Sequence, residues 1–256
     1  MTGDAPPTPP PTPDPAARSR AATPPPPSTP SPAPSPAPDH AVSTAARSPV
    51  AWARLTAVTA VGAAIDLVSK HLAFKHIADA PVPVRRADVV ALDPEHLNLA
   101  LIPPHEPVTV LPYLLELKLL LNPGAVFGVG PGQRGFFIVF TLIAVAAAMW
   151  MFTRWTTARD RVTHVAIGLI LAGGLGNLYD RLVHGCVRDF LHPLPNVPMP
   201  FGLAWPSGET DLWPWVSNVA DAFLLVGIGV LMIKLWTTGD DAAPRRAQPE
   251  DVETPG

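Results

Sequence analysis

The apolar residues of this chain are concentrated in four long runs. The runs cover about 52–72, 136–152, 162–183 and 212–236, and each approaches the ~20 residues that a helix needs to cross a bilayer. Core helices of a soluble protein are the alternative, but four such runs in one chain of 256 residues favour membrane spans. The pattern predicts an all-α membrane protein with four transmembrane helices.

The segments outside these runs differ from them in composition. Residues 1–49 are mostly Pro, Ala, Ser and Thr, so burial of apolar surface cannot offset the entropy lost on ordering. We expect 1–49 and 238–256 to be disordered cytoplasmic tails and 50–237 to be the membrane domain. The segment 73–135 is too long for a simple connector. We expect it to form a small extracytoplasmic β-cradle on the helix bundle.

The strongest strand signal lies inside this predicted cradle. Leu115–Leu119 alternates apolar and polar side chains with period two, which predicts a β-strand. The apolar spacing between Leu111 and Lys118 also fits one face of a helix, so a helix remains the alternative. Asn122-Pro123-Gly124 follows as a predicted turn.

Basic residues predict the orientation, because short cytoplasmic loops are rich in Lys and Arg. The connection between the second and third runs contains Arg154, Arg159 and Arg161. Basic residues also flank the start of the first run and the end of the fourth. We therefore expect both termini in the cytoplasm and the connections 73–135 and 184–211 outside it. The basic residues within 73–135 weigh little, since long segments translocate largely regardless of charge.

Composition and charge exclude several classes of function. The net charge is -3, so no basic surface indicates a nucleic-acid partner. A single cysteine, Cys186, excludes an internal disulfide framework and a zinc site of several cysteines. The chain also lacks glycine-rich nucleotide motifs, a P-loop and a Gly-x-Ser-x-Gly motif.

Carboxylates near the predicted spans are the candidate functional groups, because ionisable residues in membrane helices are costly. Asp66, Asp180 and Asp221 lie in the first, third and fourth runs, and Asp189 follows the third. Gly185 is expected to end the third helix, which would place Asp189 and Asp221 at similar depth near the outer boundary. Two close carboxylates share a proton, so that one serves as acid and the other as base in peptide hydrolysis.

Other interpretations of these polar residues remain open from the sequence. A proton relay through Asp66, Asp180 and Asp221 would suit a small transporter. Lys70 lies four residues after Asp66 on the same helical face, so the two would also suit a structural ion pair with the lysine reaching the interface. Asp180 would likewise suit a structural pair with Arg181 that pins the helix end.

A metal site built from His184, Cys186, Asp189 and His192 is a weaker alternative. Their spacing matches no recognised zinc pattern. Cys186 as a nucleophile would need surroundings that lower its pKa, and nothing in the sequence indicates them.

Five motifs between residues 52 and 236 resemble those of lipoprotein signal peptidases (signal peptidase II), which are bacterial membrane aspartyl peptidases. The motifs occur in the family's order on the predicted elements. They are Asp66-Leu67-Val68-Ser69-Lys70, Asn122-Pro123-Gly124-Ala125-Val126-Phe127-Gly128, Gly174-Leu175-Gly176-Asn177-Leu178-Tyr179-Asp180-Arg181-Leu182, Val187-Arg188-Asp189-Phe190 and Asn218-Val219-Ala220-Asp221.

The resemblance implies an endopeptidase that removes signal peptides from diacylglyceryl-modified prolipoproteins, cutting before the lipidated cysteine. It implies catalytic roles for Asp189 and Asp221, which would activate a water molecule. It implies no metal and no organic cofactor. Substrate binding or structural support is expected of the other motif positions, which are Asp66, Lys70, Asn122, Gly124, Asn177, Asp180, Arg181 and Asn218.

The resemblance also implies a place in the bacterial cytoplasmic (inner) membrane, with the active site near the extracytoplasmic face. The expected partners are lipid-modified prolipoproteins, membrane lipids and globomycin-type inhibitors, and we expect a monomer. Four features depart from the family: Leu67 replaces Gln, Ser217 replaces Phe, the segment 191–216 is long, and the region 73–121 is extended. They affect the expected pocket shape and leave both aspartates in place.

Overall fold

The computed structural model describes residues 44–124 and 134–241. Four of its helices are long and apolar enough to cross a membrane, which confirms the predicted four-span architecture. Most of the two predicted tails, 1–43 and 242–256, lies outside the described residues. In chain order the elements are α1 (Pro49–His76), α2 (Arg86–Ala91), α3 (Leu97–Leu101), β1 (Val108–Leu111), β2 (Leu115–Asn122), α4 (Arg134–Trp155), α5 (Arg161–Val183), β3 (Val187–Pro193) and α6 (Val219–Asp241).

Residues just before the predicted boundary at residue 50 belong to the packed structure. Ala45 is fully buried, and its backbone N–H donates to the carbonyl oxygen of Thr156 at 2.9 Å. Ser48 then caps α1, because its hydroxyl oxygen accepts the N–H of Ala51 at 3.2 Å. The last residues of the predicted N-terminal tail therefore pack against the connection between α4 and α5.

The predicted start of the fourth span, at residue 212, is wrong. The helix α6 begins at Val219, and the residues before it are extended. Ser217 pairs with Leu191 of β3 in an antiparallel bridge, which uses backbone groups that a helix would need for itself. Pro214 further disfavours a helix here, since it has no N–H to donate. Asp221 consequently lies in the first turn of α6.

The three strands form one antiparallel sheet in the order β1-β2-β3. The alternation at Leu115–Leu119 therefore marks a strand, and the helical alternative is wrong. Leu119 and Leu121 of β2 are buried, whereas the intervening Leu120 is only partly so. The buried face belongs to an apolar cluster that includes Phe74.

The chain segments that build the cradle differ from the predicted ones. The segment 73–135 supplies β1 and β2 together with the short helices α2 and α3. The third strand comes instead from the residues after the third span. Gly185 ends α5 in the left-handed conformation (φ 84°), which allows the chain to turn into β3. Asp189 therefore lies in a buried strand of the sheet.

The long connection between β3 and α6 is held by backbone hydrogen bonds and aromatic contacts. The N–H of Met199 donates to the carbonyl oxygen of Thr210 at 2.7 Å. The rings of Trp205 and Trp215 pack edge to face with centroids 4.6 Å apart. Its tip carries Phe201, which is 98% exposed.

Within the bundle, α5 is the most buried of the four spans. Its glycines allow close approach of neighbouring elements. A Cβ at Gly173 would overlap the backbone carbonyl of Ala220 in α6, and one at Gly176 would overlap the Asp66 carboxylate of α1. This close approach lets polar groups of three helices meet.

Candidate active site

The Asp221 carboxylate is held by the start of α6. Asn218 precedes this helix, and its side-chain Oδ1 accepts the N–H of Asp221 at 3.1 Å. In return, the N–H of Asn218 donates to Asp221 Oδ2 at 3.1 Å. This reciprocal arrangement is a capping box. The Asn-x-x-Asp spacing of the motif thus fixes the Asp221 carboxylate at the helix N-terminus.

A second carboxylate caps the same helix from α1. Asp66 Oδ1 accepts the N–H of Ala220 at 2.9 Å, and Asp66 is fully buried. The N-terminal N–H groups of a helix need such acceptors when they are removed from water. Asp66 therefore ties α1 to the start of α6, next to Asp221.

The strand β3 brings Asp189 to the same place. Leu191 and Ser217 exchange two backbone hydrogen bonds, at 2.8 and 2.7 Å, so β3 lies beside the residues that precede α6. Asn218 Nδ2 then donates to Asp189 Oδ1 at 2.5 Å. Asn218 thus contacts both carboxylates, and Asp189 and Asp221 lie close enough to interact electrostatically.

Asp189 is poised to carry a proton near neutral pH. It is 1% exposed. Burial, reinforced by the negative charge of Asp221, raises the pKa of Asp189 to about 7, against the opposing effect of hydrogen bonds from Asn218 and Asn122. Asp221 is only partly buried and accepts N–H donors from two sides. The two carboxyl groups therefore have different environments.

Asn177 connects this pair to a buried lysine. Lys70 Nζ donates to Asn177 Oδ1 at 2.8 Å. Because an ammonium group only donates, this contact fixes which end of the amide faces the lysine. The amide nitrogen of Asn177 then donates to Asp221 Oδ1 at 2.8 Å. Lys70 of α1 thus fixes the orientation of the Asn177 amide group that donates to Asp221.

Lys70 and Arg188 neutralise the remaining carboxylates. Lys70 Nζ lies 2.8 Å from Asp66 Oδ2 and 3.5 Å from Asp180 Oδ2. Arg188 Nη2 lies 2.7 Å from Asp180 Oδ1, and the backbone N–H of Arg188 also donates to Asp180 at 3.0 Å. Asp180 therefore fixes the residue next to Asp189 in β3.

Two sequence-based expectations about these ions are wrong. The ion pair of Lys70 with Asp66 is present, but Lys70 is fully buried within the protein and does not extend outward to solvent or lipid. Asp180 pairs with Arg188 and not with Arg181, because adjacent residues of a helix point in different directions. Asp180 thus forms a buried ion pair, but its partner is Arg188 and not Arg181.

Arg181 lies near the pair without forming an ion pair to it. It donates to the carbonyl oxygen of Asn177 at 3.3 Å and lies over the Phe137 ring, 5.3 Å from its centroid. It interacts electrostatically with both Asp189 and Asp221. Its buried Nε has no hydrogen-bond partner among the described residues. This donor is a candidate for binding a substrate carbonyl.

Asn122 approaches the pair from the end of β2. Its side chain hydrogen-bonds Asp189, and its Oδ1 accepts the N–H of Gly124 at 3.0 Å. Gly124 adopts a φ of 111°, which favours glycine. Gly124 thus supports the turn that orients Asn122. The rest of the quoted motif, 125–128, lies outside the described residues.

The groups considered for a metal site face different partners. His184 Nδ1 donates to the carbonyl oxygen of Val84 at 2.9 Å, and His192 Nδ1 lies 2.7 Å from Glu116 Oε1. Burial raises the pKa of Cys186 to about 12, which disfavours the thiolate. The described residues contain no group of three or more His, Cys, Asp or Glu side chains placed to hold a metal ion.

A relay across the membrane also fits the geometry poorly. Asp66 and Asp180 share contacts with Lys70, and Lys70 reaches Asp221 through Asn177. These groups form one contiguous network at the end of the bundle that carries the sheet. A transmembrane relay would need carboxylates spread through the depth of the bilayer.

Two residues that organise this site have no predicted role from the sequence. Arg188 was quoted within a motif, yet its contact with Asp180 anchors β3. Ser217 was noted only as a departure from the family, yet its backbone joins β3 to the start of α6. The capping-box spacing of Asn218 and Asp221 was a signal in the sequence that would have located the N-terminus of α6.

Four spans and a buried, hydrogen-bonded carboxylate network under a small sheet define a polytopic membrane protein with a candidate hydrolytic site. Comparison with known proteins identifies the family. The family model "Signal peptidase (SPase) II" matches residues 58–237. The chain therefore belongs to the signal peptidase II family, and it is a lipoprotein-processing peptidase of the bacterial inner membrane.

Individual relatives agree with this family. The lipoprotein signal peptidase of Desulfitobacterium hafniense (strain DSM 10664 / DCB-2) is 36% identical over 128 residues, covering 50% of this chain and 73% of the relative. That of Sinorhizobium fredii (strain NBRC 101917 / NGR234) is 34% identical over 160 residues, covering 60% and 86%. A solved structure described as a bacterial membrane enzyme shares the fold, with a TM-score of 0.52, 21% identity, and coverage of 77% of this chain and 95% of that one.

Proposed function

We propose that the protein cleaves lipoprotein signal peptides as an aspartyl endopeptidase, with Asp189 and Asp221 as its catalytic residues. The observation that carries the proposal is the shared contact of Asn218 with both carboxylates. Neither carboxylate has a lysine or arginine within 4.0 Å among the described residues, so neither is neutralised by an ion pair. Both are therefore available for proton transfer.

The different environments suggest how the two groups divide the reaction. Asp189 holds the shared proton, because burial and the nearby negative charge raise its pKa to about 7. Asp221 is partly exposed and accepts N–H bonds from Asn177 and Asn218, which suits the ionised form. Asp221 then takes a proton from a water molecule, and the resulting hydroxide attacks the peptide carbonyl. Asp189 donates its proton to the oxygen or nitrogen on which negative charge develops.

The other residues of the site act by positioning. Asn122 and Asn218 donate to Asp189, and Asn177 donates to Asp221. Arg181 has an unpartnered buried donor beside the pair, which suits a carbonyl oxygen of the substrate backbone. Every group named in this reaction comes from one chain, so the proposed site is complete within a single subunit, and a monomer is the active form that we propose.

The active site is proposed to face the extracytoplasmic side. The short loop between α4 and α5, with flanking Arg154, Arg159 and Arg161, fits a cytoplasmic connection and lies at the opposite end of these helices from the sheet. A lipidated substrate would reach an interfacial site within the plane of the membrane. Water is available at this depth, as hydrolysis requires. A cysteine introduced into β1 and labelled in intact cells by an impermeant thiol reagent tests this orientation.

The proposed reaction is tested by cleavage of a diacylglyceryl prolipoprotein by the purified full chain. Mass spectrometry should find the lipidated cysteine at the new N-terminus, and globomycin should block the reaction. Asp189→Asn and Asp221→Asn should each lose activity. The matched control is Asp79→Asn, which changes an exposed aspartate just after α1 and should cleave like the wild type.

Failure of the folded wild type to cleave the lipidated substrate would refute the proposed substrate. Cleavage that survives in either Asn variant would show that the catalytic carboxylates are others, with Asp180 and Asp66 as the next candidates.

A further inference from the structure

A cavity lies at the C-terminal end of α1, apart from the carboxylate pair. Its volume is about 330 Å³, and it is bounded by the last two turns of α1, the extended segment after them and the start of β3. Phe74 and Val82 are buried and give it an apolar floor. Arg188 contributes to this cavity, whereas Asp189 follows it in the strand, so the two side chains lie on opposite faces of β3. The cavity is therefore separate from the proposed catalytic site.

The polar side chains that line this cavity are those of His71, Lys75, His184 and Arg188, and no Asp or Glu of the described residues lines it. His71 and Lys75 are four residues apart, so they share one face of α1. Lys75 has no carboxylate within 4.0 Å in the part of the chain that the structure describes. Lys75 thus presents an unpaired positive charge to the cavity, whereas the guanidinium of Arg188 is already paired with Asp180.

Two of these side chains are held in fixed orientations. Arg188 is anchored through Nε and Nη2 to Asp180. The ring of His184 is held by Nδ1, which donates to the carbonyl oxygen of Val84 at 2.9 Å. Side chains fixed before a ligand arrives lose less entropy on binding it.

The depth of the cavity indicates its ligand. The 28 residues of α1 span about 42 Å, which exceeds the ~30 Å hydrocarbon core of a bilayer. At least one end of α1 therefore projects beyond the hydrocarbon core, and the exposed polar side chains of His71 and Lys75 place its last two turns at the level of the lipid headgroups. Guanidinium and ammonium groups there suit phosphate oxygens, and the apolar floor suits the adjoining glycerol and first methylenes. The absence of a lining carboxylate leaves no partner for a choline or ethanolamine ammonium group.

We propose that this cavity is a phosphate-binding site that is filled in the membrane by the headgroup of an anionic phospholipid. The bound lipid would contact Arg188, which Asp180 ties to the strand that carries Asp189. The site would thereby anchor β3 to the bilayer surface on the side away from the catalytic pair.

Lipid binding to the detergent-purified full chain tests this proposal independently of peptidase activity. Native mass spectrometry would follow the retention of phosphatidylglycerol and of phosphatidylcholine by the wild type and by the double variant His71→Gln/Lys75→Gln. Both side chains are exposed, so the fold should be preserved. The matched control is Lys118→Gln, which removes an exposed lysine of β2 that does not line the cavity.

We expect the wild type and Lys118→Gln to retain one phosphatidylglycerol in preference to phosphatidylcholine. The double variant should bind phosphatidylglycerol at least tenfold more weakly. Equal retention of the two lipids by the wild type would overturn the proposal, and so would an unchanged affinity in the double variant. Displacement of the lipid by inorganic phosphate at similar concentration would overturn the lipid as the source of the phosphate.

Discussion

Two groups of carboxylates lie side by side at one end of this membrane protein, and their partners differ. The carboxylates of the cation-bound group contact ammonium, guanidinium and backbone N–H groups. Those of the amide-bound pair accept hydrogen bonds from asparagine side chains and backbone N–H groups. The cation-bound group is Asp66, Lys70, Asp180 and Arg188, and the amide-bound pair is Asp189 and Asp221.

This difference separates a structural role from a chemical one. A carboxylate paired with a buried cation holds helices together, because separating the pair would leave an uncompensated charge. A carboxylate held by amides beside a second carboxylate retains a proton that it can transfer. The cation-bound group orients the amides, and the amides orient the proposed catalytic pair.

The largest expected effect on stability comes from breaking the cation-bound group. Asp180→Asn removes the negative partner of Arg188 and one of those of Lys70, and loss of one partner of a buried ion pair costs ~3–5 kcal/mol. Thermal unfolding in detergent should show a large decrease in Tm. Asp189→Asn should leave Tm unchanged or raise it, since it removes repulsion between two carboxyl groups. Equal losses of Tm in the two variants would remove the distinction between the groups.

The next expected effect is on the pH dependence of cleavage. The pKa of Asp189 is raised to about 7, so this group loses its proton as pH rises through that value. Because the proposed acid needs the proton, kcat/KM should fall about tenfold per pH unit above the transition. Protonated Asp189 should also contribute to the free energy of unfolding. This contribution should be fully present below the ordinary pKa of aspartate and should be lost as the pH rises through about 7.

The pH profile is measured between pH 5 and 9 with one lipidated substrate, with thermal unfolding at each pH as the control. A rate that stays constant to pH 9 in folded protein would argue against Asp189 as the proton donor.

A smaller effect should follow from changing the residue that links the pair. Asn218→Ala removes the cap of α6, worth ~1 kcal/mol, and the amide donor to Asp189. Asn218→Ser restores an acceptor for the Asp221 N–H but is too short to replace the amide donor. Tm should therefore recover in Asn218→Ser, whereas kcat/KM should remain roughly tenfold or more below the wild type. Full recovery of both quantities would show that Asn218 acts only as a cap.

The smallest effect is expected at Ser217. Its main contribution to the site is made by backbone groups, which pair with Leu191 at 2.7 and 2.8 Å, whereas its hydroxyl adds a longer bond of 3.3 Å to the Leu191 carbonyl oxygen. Ser217→Ala should therefore change Tm and kcat/KM little, whereas Ser217→Pro should reduce both because proline removes the N–H that donates to β3. A large loss of activity in folded Ser217→Ala would assign a direct role to the hydroxyl group.

The sequence predicted the four spans and the meeting of Asp189 with Asp221, because helix length and motif order carry that information. It did not predict that β3 would join the sheet, because strand pairing between β2 and β3 depends on contacts distant in sequence. The same limit applies to Asp180, whose partner Arg188 becomes adjacent only after Gly185 reverses the chain. The predicted start of α6 was wrong because the apolar residues from 212 onward extend the hydrophobic run beyond the helix, whose N-terminus is capped by Asn218.

The most direct test of the division between the two groups is the single-turnover cleavage rate per folded molecule. Asp189→Asn, Asp221→Asn and Asp180→Asn would be compared with the wild type on one lipidated substrate, with the folded fraction measured in each sample. We expect both variants of the amide-bound pair to lose at least about a thousandfold in rate while remaining folded. We expect Asp180→Asn to keep a far higher rate per folded molecule. A folded Asp180→Asn variant as inactive as Asp189→Asn, or an active Asp189→Asn variant, would contradict the division between a structural group and a catalytic pair.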